Sequence, residues 1–386
     1  MANRGHEVTV ITGMPNYPHG KFFGDFRLFR KQSIGKVCLF RVPLLPRGKS
    51  RGWELSLNYV SFFISALIFG PFLLRGRKFD VVFSVNYSPA TVGLLGVYFS
   101  KLKKAKSLVW IQDLWPQSLS AVGAIKSKLV LAIVGKMVGC IYKNTDLILV
   151  QSQGFILGVI EFNIPKSKIR FFPNWAEDFY NAKAKTVRPE IHVAIPKDKF
   201  IIMFAGNLGY GQGLNTITQA ACILKNEPVH WVIVGDGRAK VAFEDSVEKL
   251  ELSSNFSFLG SYPREMMPEF FTMADVMLVA LKDDEAFLNT IPSKIQAYLK
   301  SGKPILSSLN GEGAAVIIDS QAGLNVSAEN YAGLASAALK LSRMESHELK
   351  KMGQSGLKYY NDNFDLQMLL LMFESWTNEL IKLDSD

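Results

Sequence analysis

Four glycines, Gly206, Gly209, Gly211 and Gly213, fall at the point where the chain changes period. Ile201 to Ala205 is a short apolar run of the kind that forms a buried strand, and from Leu214, with Ile217, Ala220 and Ala221, the apolar spacing is helical. A strand, a glycine loop and a helix N-terminus in succession aim unpaired amide donors and the positive end of a helix dipole at one spot, which suits a phosphate oxygen. The same pattern also fits an ordinary tight turn in a parallel α/β sheet, so the reading needs support elsewhere. His230 to Lys240, HWVIVGDGRAK, supplies a second strand ending in a glycine turn, with Gly235, Asp236, Arg238 and Lys240. The dinucleotide fingerprint G-x-G-x-x-G fails there because Lys240 stands at the third glycine position, which argues against a nicotinamide cofactor. A cation at that place still suits phosphate, although Arg238 or Lys240 alone reads most simply as a solvated charge. A third junction is Ile291, Pro292, Ser293 and Lys294, before the helical IQAYLKSG and the strand PILSS. Proline at a helix start leaves the first amides free, Ser293 can cap or donate, and Lys294 can reach a diphosphate.

Asp113 closes the strand in WIQDLWPQS, beside Gln112, Trp115 and Gln117. A carboxylate at a strand end can act as a base, accept from sugar hydroxyls or cap the next helix, and capping is the simplest of the three. The five histidines make no metal-binding spacing, so no metal is expected. Cys38, Cys140 and Cys222 are far apart and odd in number, which fits a reducing compartment.

These residues need elements to hold them. At 386 residues the chain is too long for one ordinary core, and two domains are expected. Strands FDVVFSV, SLVWIQD, DLILVQS and IRFFPN alternate with helical stretches in the first half; FIIMFAG, WVIVGDG, FSFLG, VMLVAL, PILSS and GLNV do so in the second. Alternation of this kind predicts doubly wound parallel sheets. Pro173, Pro189 and Pro196 flank a stretch without period from Asn174 to Val193, which reads as the linker. The expected division is residues 1–180 and 181–364, with an amphipathic helix over 365–383 that packs back on the first domain.

The start is unusual. Ala2 to Gly5 reads as a helix tail, and HEVTVIT follows at once as a strand, so the first strand, loop and helix of a parallel domain are expected to be missing. Met14 to Arg30 is a long irregular segment after that strand, in the place where α/β folds bind ligands. Leu55 to Leu74 runs twenty residues without a charge between basic flanks. Its length could span a bilayer, but the polar residues within it and the strand that follows make it a crossover helix, either buried throughout or with an outer face in a membrane interface.

The charge is unevenly spread. Residues 1–190 hold 27 Lys and Arg against 10 Asp and Glu, a net +17, while the remainder is net −7. A basic half implies an anionic partner such as acidic headgroups or a pyrophosphate compound. Nucleic acid is disfavoured, since no zinc-finger spacing, RNP-like aromatic motif or basic recognition helix is present.

On the stretches RGHEVTVITGMPNYPHG, WIQDLWPQS, FFPNWAEDF, FAGNLGYGQGLNTI, VGDG and TIPSKIQAYLKSGKPIL, the chain resembles the retaining family-4 glycosyltransferases of the GT-B class. It is most similar to the branch that builds O-antigen and capsule units, and within it to L-fucosamine and N-acetyl-L-fucosamine transferases. The resemblance implies two Rossmann-like domains facing across a cleft. It implies a nucleotide-sugar donor, UDP-linked, held by the second domain: Gly206, Asn207 and Gln212 near the diphosphate, Gly235 and Asp236 near the base, Arg238 or Lys240 balancing charge, and Pro292, Ser293 and Lys294 near ribose, phosphate and sugar. The acceptor it implies is a saccharide on polyprenyl diphosphate, bound by the first domain through Tyr17 and Trp115 at the cytoplasmic face of the inner membrane. Asp113 and Lys294 become the candidate catalytic pair, with no metal and no further cofactor. The chain departs from that family where its paired glutamates would stand, at Asn289 and Ala297, and where a basic residue follows the glycine loop, at Gln212. Two rivals are a UDP-sugar 2-epimerase of the same fold, and an inactive truncated paralogue that binds donor or membrane only.

Overall fold

The computed structural model describes residues 1–16, 19–23, 30–49, 51–121, 127–181 and 195–382. These residues form two compact units, one made of Met1–Val150, Gly158–Phe171 and Leu370–Asp386, the other of Gln151–Leu157 and Phe172–Leu369.

In the second unit the strands are β8 (Phe200–Ala205), β9 (Val229–Val234), β10 (Phe256–Gly260), β11 (Val276–Ala280), β12 (Ile305–Ser308) and β13 (Gly323–Val326), all parallel, in the order β10-β9-β8-β11-β12-β13. Buried on both faces, β8 and β11 are continuous apolar runs and β9 is interrupted by His230 alone, as a covered parallel sheet requires. The connecting helices are α6 (Leu214–Ile223), α7 (Lys240–Lys249), α8 (Met267–Met273), α9 (Glu285–Leu288), α10 (Ser293–Lys300), α11 (Gly311–Asp319), α12 (Tyr331–Ser342) and α13 (Ser346–Asn363). One core gathers Phe204, Ile217, Trp231, Phe243, Leu278 and Leu334. The strand order reverses between β8 and β11, and ligands in such sheets sit at the carboxyl ends of the strands flanking that reversal.

The first unit is built from β1 (Val8–Gly13), β2 (Arg30–Ile34), β3 (Val37–Val42), α1 (Gly52–Leu73), β4 (Val81–Asn86), α2 (Thr91–Lys103), β5 (Lys106–Ile111), α3 (Gln117–Ala121), α4 (Lys128–Lys143), β6 (Leu147–Val150) and β7 (Ile169–Phe171). Its strands make two sheets instead of the single one that alternation suggests. Four parallel strands run β4-β5-β6-β7, and a separate sheet runs β1-β3-β2, with β1 and β3 parallel and β2 antiparallel to β3. Among the described residues no strand pairs with the second edge of either β1 or β4, so the ladder does not continue between them. The hairpin strand β2 follows the long opening segment and was not expected; RKQSI is polar, and its edge position buries little.

Helix α1 packs Phe62, Phe63, Ala66, Leu67, Phe69 and Leu73 against β3 and α2. It begins earlier than the apolar run, because Glu54 in its first turn accepts from the Arg51 amide at 2.9 Å and satisfies one of the free donors there. Its other side is open: Trp53, Leu57, Val60, Ile64, Ile68 and Phe72 are exposed, up to 72% at Phe72. A helix buried throughout is therefore not what the sequence makes. The terminal helix α14 (Leu366–Lys382) carries Phe373 onto Phe83 of β4 and Glu374 onto Arg4 and His6 within the first unit. Together these two bases hold the Glu374 carboxyl down at about 2. Of the expected linker, residues 182–193 lie outside the described residues.

Candidate active site

The strongest constellation lies in the second unit, where β8 ends. Gly206 and Gly235, both at φ +147°, let the turns after β8 and β9 interlock: a Cβ on Gly235 would stand 1.9 Å from the Gly206 carbonyl, and one on Gly237 2.4 Å from that of Leu208. The Gly206 amide donates to the Val234 carbonyl and that of Leu208 to Asp236. Further along, Gly213 N–H donates to Ala280 and Lys282 N–H to Gly211, which ties the loop to the strand on the other side of the reversal. The amides of Asn207, Gly209, Tyr210 and Gly211, and those of Asn215 and Thr216 in the first turn of α6, have no partner among the described residues. These donors are what an anion at a helix N-terminus requires.

Lys294, in the first turn of α10, enters this loop. Its Nζ donates to Gln212 Oε1 at 2.7 Å, sits 3.8 Å from the centre of the Phe204 ring and lies 3.6 Å from where a Cβ on Gly206 would be. It has no carboxylate partner among the described residues. Burial without a counter-ion pulls its pKa down to about 7. An ammonium so placed lacks an anion. Pro292 and Ser293 precede it at the helix start, but Pro292 occupies the N-cap position without a side-chain cap, and the exposed Ser293 caps nothing among the described residues, in contrast to the capping role its type suggests.

The remaining residues singled out around this loop have smaller parts. Asn207 is exposed at the loop's rim. Asp236 Oδ1 accepts from the Gly237 amide at 2.7 Å and so closes its own turn. Arg238 is exposed, and Lys240 faces Glu244 one helical turn on at 3.9 Å. Tyr298 went unremarked in the sequence. Its buried hydroxyl accepts from the Ala205 amide and donates to the Ala205 carbonyl, both at 3.0 Å, and thereby fixes α10 against the end of β8. The only signal was its place one turn after Lys294, on the apolar face of IQAYLKSG. Phe287 of α9 presses on Gly211, where a Cβ would come within 2.6 Å of the ring.

In the first unit Asp113 follows β5, and here the simplest expectation is corrected. Asp113 does not cap α3, where Ser118 and Leu119 donate to the backbone carbonyls of Leu114 and Pro116. Its Oδ2 instead accepts from the Ser88 hydroxyl at 2.9 Å, and Ser88 in turn accepts from Trp115 Nε1 at 3.3 Å. Ser88 sits after the neighbouring parallel strand β4, so strand order brings together groups 25 residues apart. Desolvation, and then the Asp113 charge, raise the pKa of Tyr87 beside them. Tyr17 lies outside the described residues. Among those described, no group of three or more His, Cys, Asp or Glu is placed to hold a metal ion.

Comparison with known proteins gives this arrangement its class. Residues 1–175 match the model of the glycosyl transferase 4-like domain, and residues 189–359 match that of the glycosyl transferases group 1. The chain is a glycosyltransferase of the GT-B type. It is 27% identical over 312 residues, 78% of this chain and 75% of the other, to the Escherichia coli protein WcaI, named as a colanic acid biosynthesis glycosyl transferase. To a Pseudomonas aeruginosa protein named as a glycosyltransferase, WbjE, it is 28% identical over 284 residues, 71% of this chain and 67% of that one. Among solved structures it resembles Anabaena HepE in complex with UDP, with a TM-score of 0.66, 12% identity and 84% of each chain covered.

Proposed function

We propose that the chain transfers an acetamido-deoxy sugar of the N-acetylfucosamine kind from a UDP donor to a saccharide carried on polyprenyl diphosphate, with retention of configuration, during O-antigen or capsule synthesis. The observation that carries this reading is the uncompensated Lys294 ammonium inside a glycine turn with several unpaired amides. In this scheme the donor's sugar C1–oxygen bond to the diphosphate breaks and a bond to an acceptor hydroxyl oxygen forms. Lys294 and the amides around Gly206 stabilise the charge that accumulates on the departing diphosphate, an electrostatic contribution of the kind that usually dominates such reactions. Asp113, oriented by Ser88, takes the proton of the attacking hydroxyl. We put no metal in the scheme. That HepE was solved with UDP, and that WcaI is named for a polysaccharide, agree with the donor and the pathway chosen here.

The same proposal places the chain peripherally on the cytoplasmic face of the inner membrane. Helix α1 is long and apolar enough to cross a bilayer, with a mean hydropathy of 1.6, yet it packs one side into the first unit and leaves the other open. A helix in that situation lies in an interface with its open side among acyl chains, and Arg51, Arg75 and Lys78 at its ends match acidic headgroups. A panel of nucleotide sugars incubated with lipid-linked oligosaccharide acceptor tests the reading. UDP and an acceptor one acetamido sugar heavier are expected; an epimerised donor with untouched acceptor contradicts it.

A further inference from the structure

Where β8 ends, two separately anchored pieces of chain meet through their side chains. The glycine loop is fastened on the β11 side: Gly213 N–H donates to the Ala280 carbonyl, Lys282 N–H donates to the Gly211 carbonyl, and Gln212 bridges to Leu281 between them. The start of α10 is fastened to β8 itself, through the Tyr298 hydroxyl on the Ala205 amide and carbonyl. Those two groups are free for it because β8 pairs with β9 as far as Ala205 but with β11 only as far as Met203. Lys294 joins the two pieces, its Nζ donating to Gln212 Oε1 at 2.7 Å. An ammonium has only hydrogens to give, so it takes the oxygen of the amide and fixes the –NH2 end of Gln212 on the far side. Among the described residues that Nε2 has no partner, nor have the amides of Gly209, Tyr210 and Gly211 just before it in the chain.

A neutral amide at this place does what other side chains would not. A second cation at 212 would repel Lys294, and a carboxylate would cancel its charge and compete with any anion entering the loop. An apolar side chain would leave the buried ammonium with the Phe204 ring alone, 3.8 Å away. We infer that Gln212 is a positioning residue and an anion ligand at once: its oxygen holds the Lys294 ammonium in the loop without cancelling the charge, and its amide hydrogens are offered to the same diphosphate. The inference rests on the reading of the Gly206 turn as the donor's diphosphate site, and adds what keeps the lysine of that site oriented and charged. Burial is the cause that lowers the pKa of Lys294, and among the described residues no charged side chain of β8, the loop or α6 contributes to it. The protonation of Lys294 is therefore set by burial and by its one acceptor, which favours the ammonium.

The test titrates the full chain with UDP from neutral to alkaline pH, as the parent, Q212M, Q212E and Lys294→Met, and records the thermal midpoint of each without ligand. Removing the acceptor disfavours the ammonium and a carboxylate favours it, so the pH above which UDP affinity falls should move down in Q212M and up in Q212E. At neutral pH UDP should bind about fivefold or more weakly to Q212M and about tenfold or more weakly to Q212E, in which the ion pair with Lys294 also raises the unliganded midpoint. A side chain that only packed the loop would change the midpoint and leave both onsets where they are. Unmoved onsets with parent affinity in both variants overturn the role of Gln212, as does undiminished UDP binding by Q212E. Should one variant fail to fold, the other decides alone, since each has its own direction of shift. Weakened binding in Lys294→Met beside unaffected Gln212 variants strikes this inference only. A parent that binds no UDP, or binds it equally well after Lys294→Met, strikes the diphosphate reading and this inference with it.

Discussion

Lys294 is placed at a cost to the unliganded protein. Its pKa is lowered from the ordinary lysine value to about 7 by burial, so the unfolded chain binds more protons than the folded one between about pH 7 and the usual lysine range. Stability gained through this residue therefore rises with pH across that window. Replacing Lys294 by Met is expected to raise the thermal midpoint of the apo protein at neutral pH and to abolish the further rise caused by UDP; calorimetry with and without UDP measures both. A lysine of purely structural value would give a lower apo midpoint. The ligand-binding sign is opposite. Only the ammonium attracts a diphosphate, so UDP affinity should be flat below about pH 7 and fall above it, and the fall should vanish in the Met variant, as titrations from pH 6 to 9 would show. At this scale the sequence was informative in part. Lys294 could be singled out as a candidate because proline and serine before a helix, followed by lysine, carry a local mechanism. Gln212 as its hydrogen-bond acceptor, Ser88 as the partner of Asp113 and Tyr298 as the brace of β8 were not legible, since each pairing joins residues far apart in the chain and depends on strand order.

At the scale of elements, the central strands β8 and β11 of the second unit could be read directly because burial on both faces leaves an uninterrupted apolar signature. The polar edge strand β2 and the one-turn helix α9 have none. Pairing was less legible still, since alternation predicts that strands lie parallel but not that β1 and β4 each lack a second neighbour among the described residues. Helix α1 could be located but its surroundings could not, for a buried helix and an interfacial one have the same composition. The exposed positions 53, 57, 60, 64, 68 and 72 settle which side is open. Substituting Ile64 and Ile68 together by Asp should cut sedimentation with phosphatidylglycerol vesicles several-fold while leaving the thermal midpoint and UDP binding near their parent values. If the double variant unfolds, or still sediments fully, the stripe is not the docking face.

For the whole molecule, charge and chemistry divide along the chain. The basic first half carries the open apolar helix and Asp113, whereas the acidic second half isolates a lysine among glycine turns. The transfer proposed here, from a soluble anionic donor to a lipid-borne acceptor, would use this division, because each substrate would meet its own complementary surface. The central claim is that the Gly206–Lys294 turn works on the donor's diphosphate. It is tested most directly by single-turnover transfer from the UDP-sugar to lipid-linked acceptor, with the parent chain and with Lys294→Ala at saturating donor. Loss of a charge-assisted contact to the departing diphosphate predicts a fall of about a hundredfold or more in the transfer rate with the fold intact; a variant that transfers at the parent rate would contradict the account.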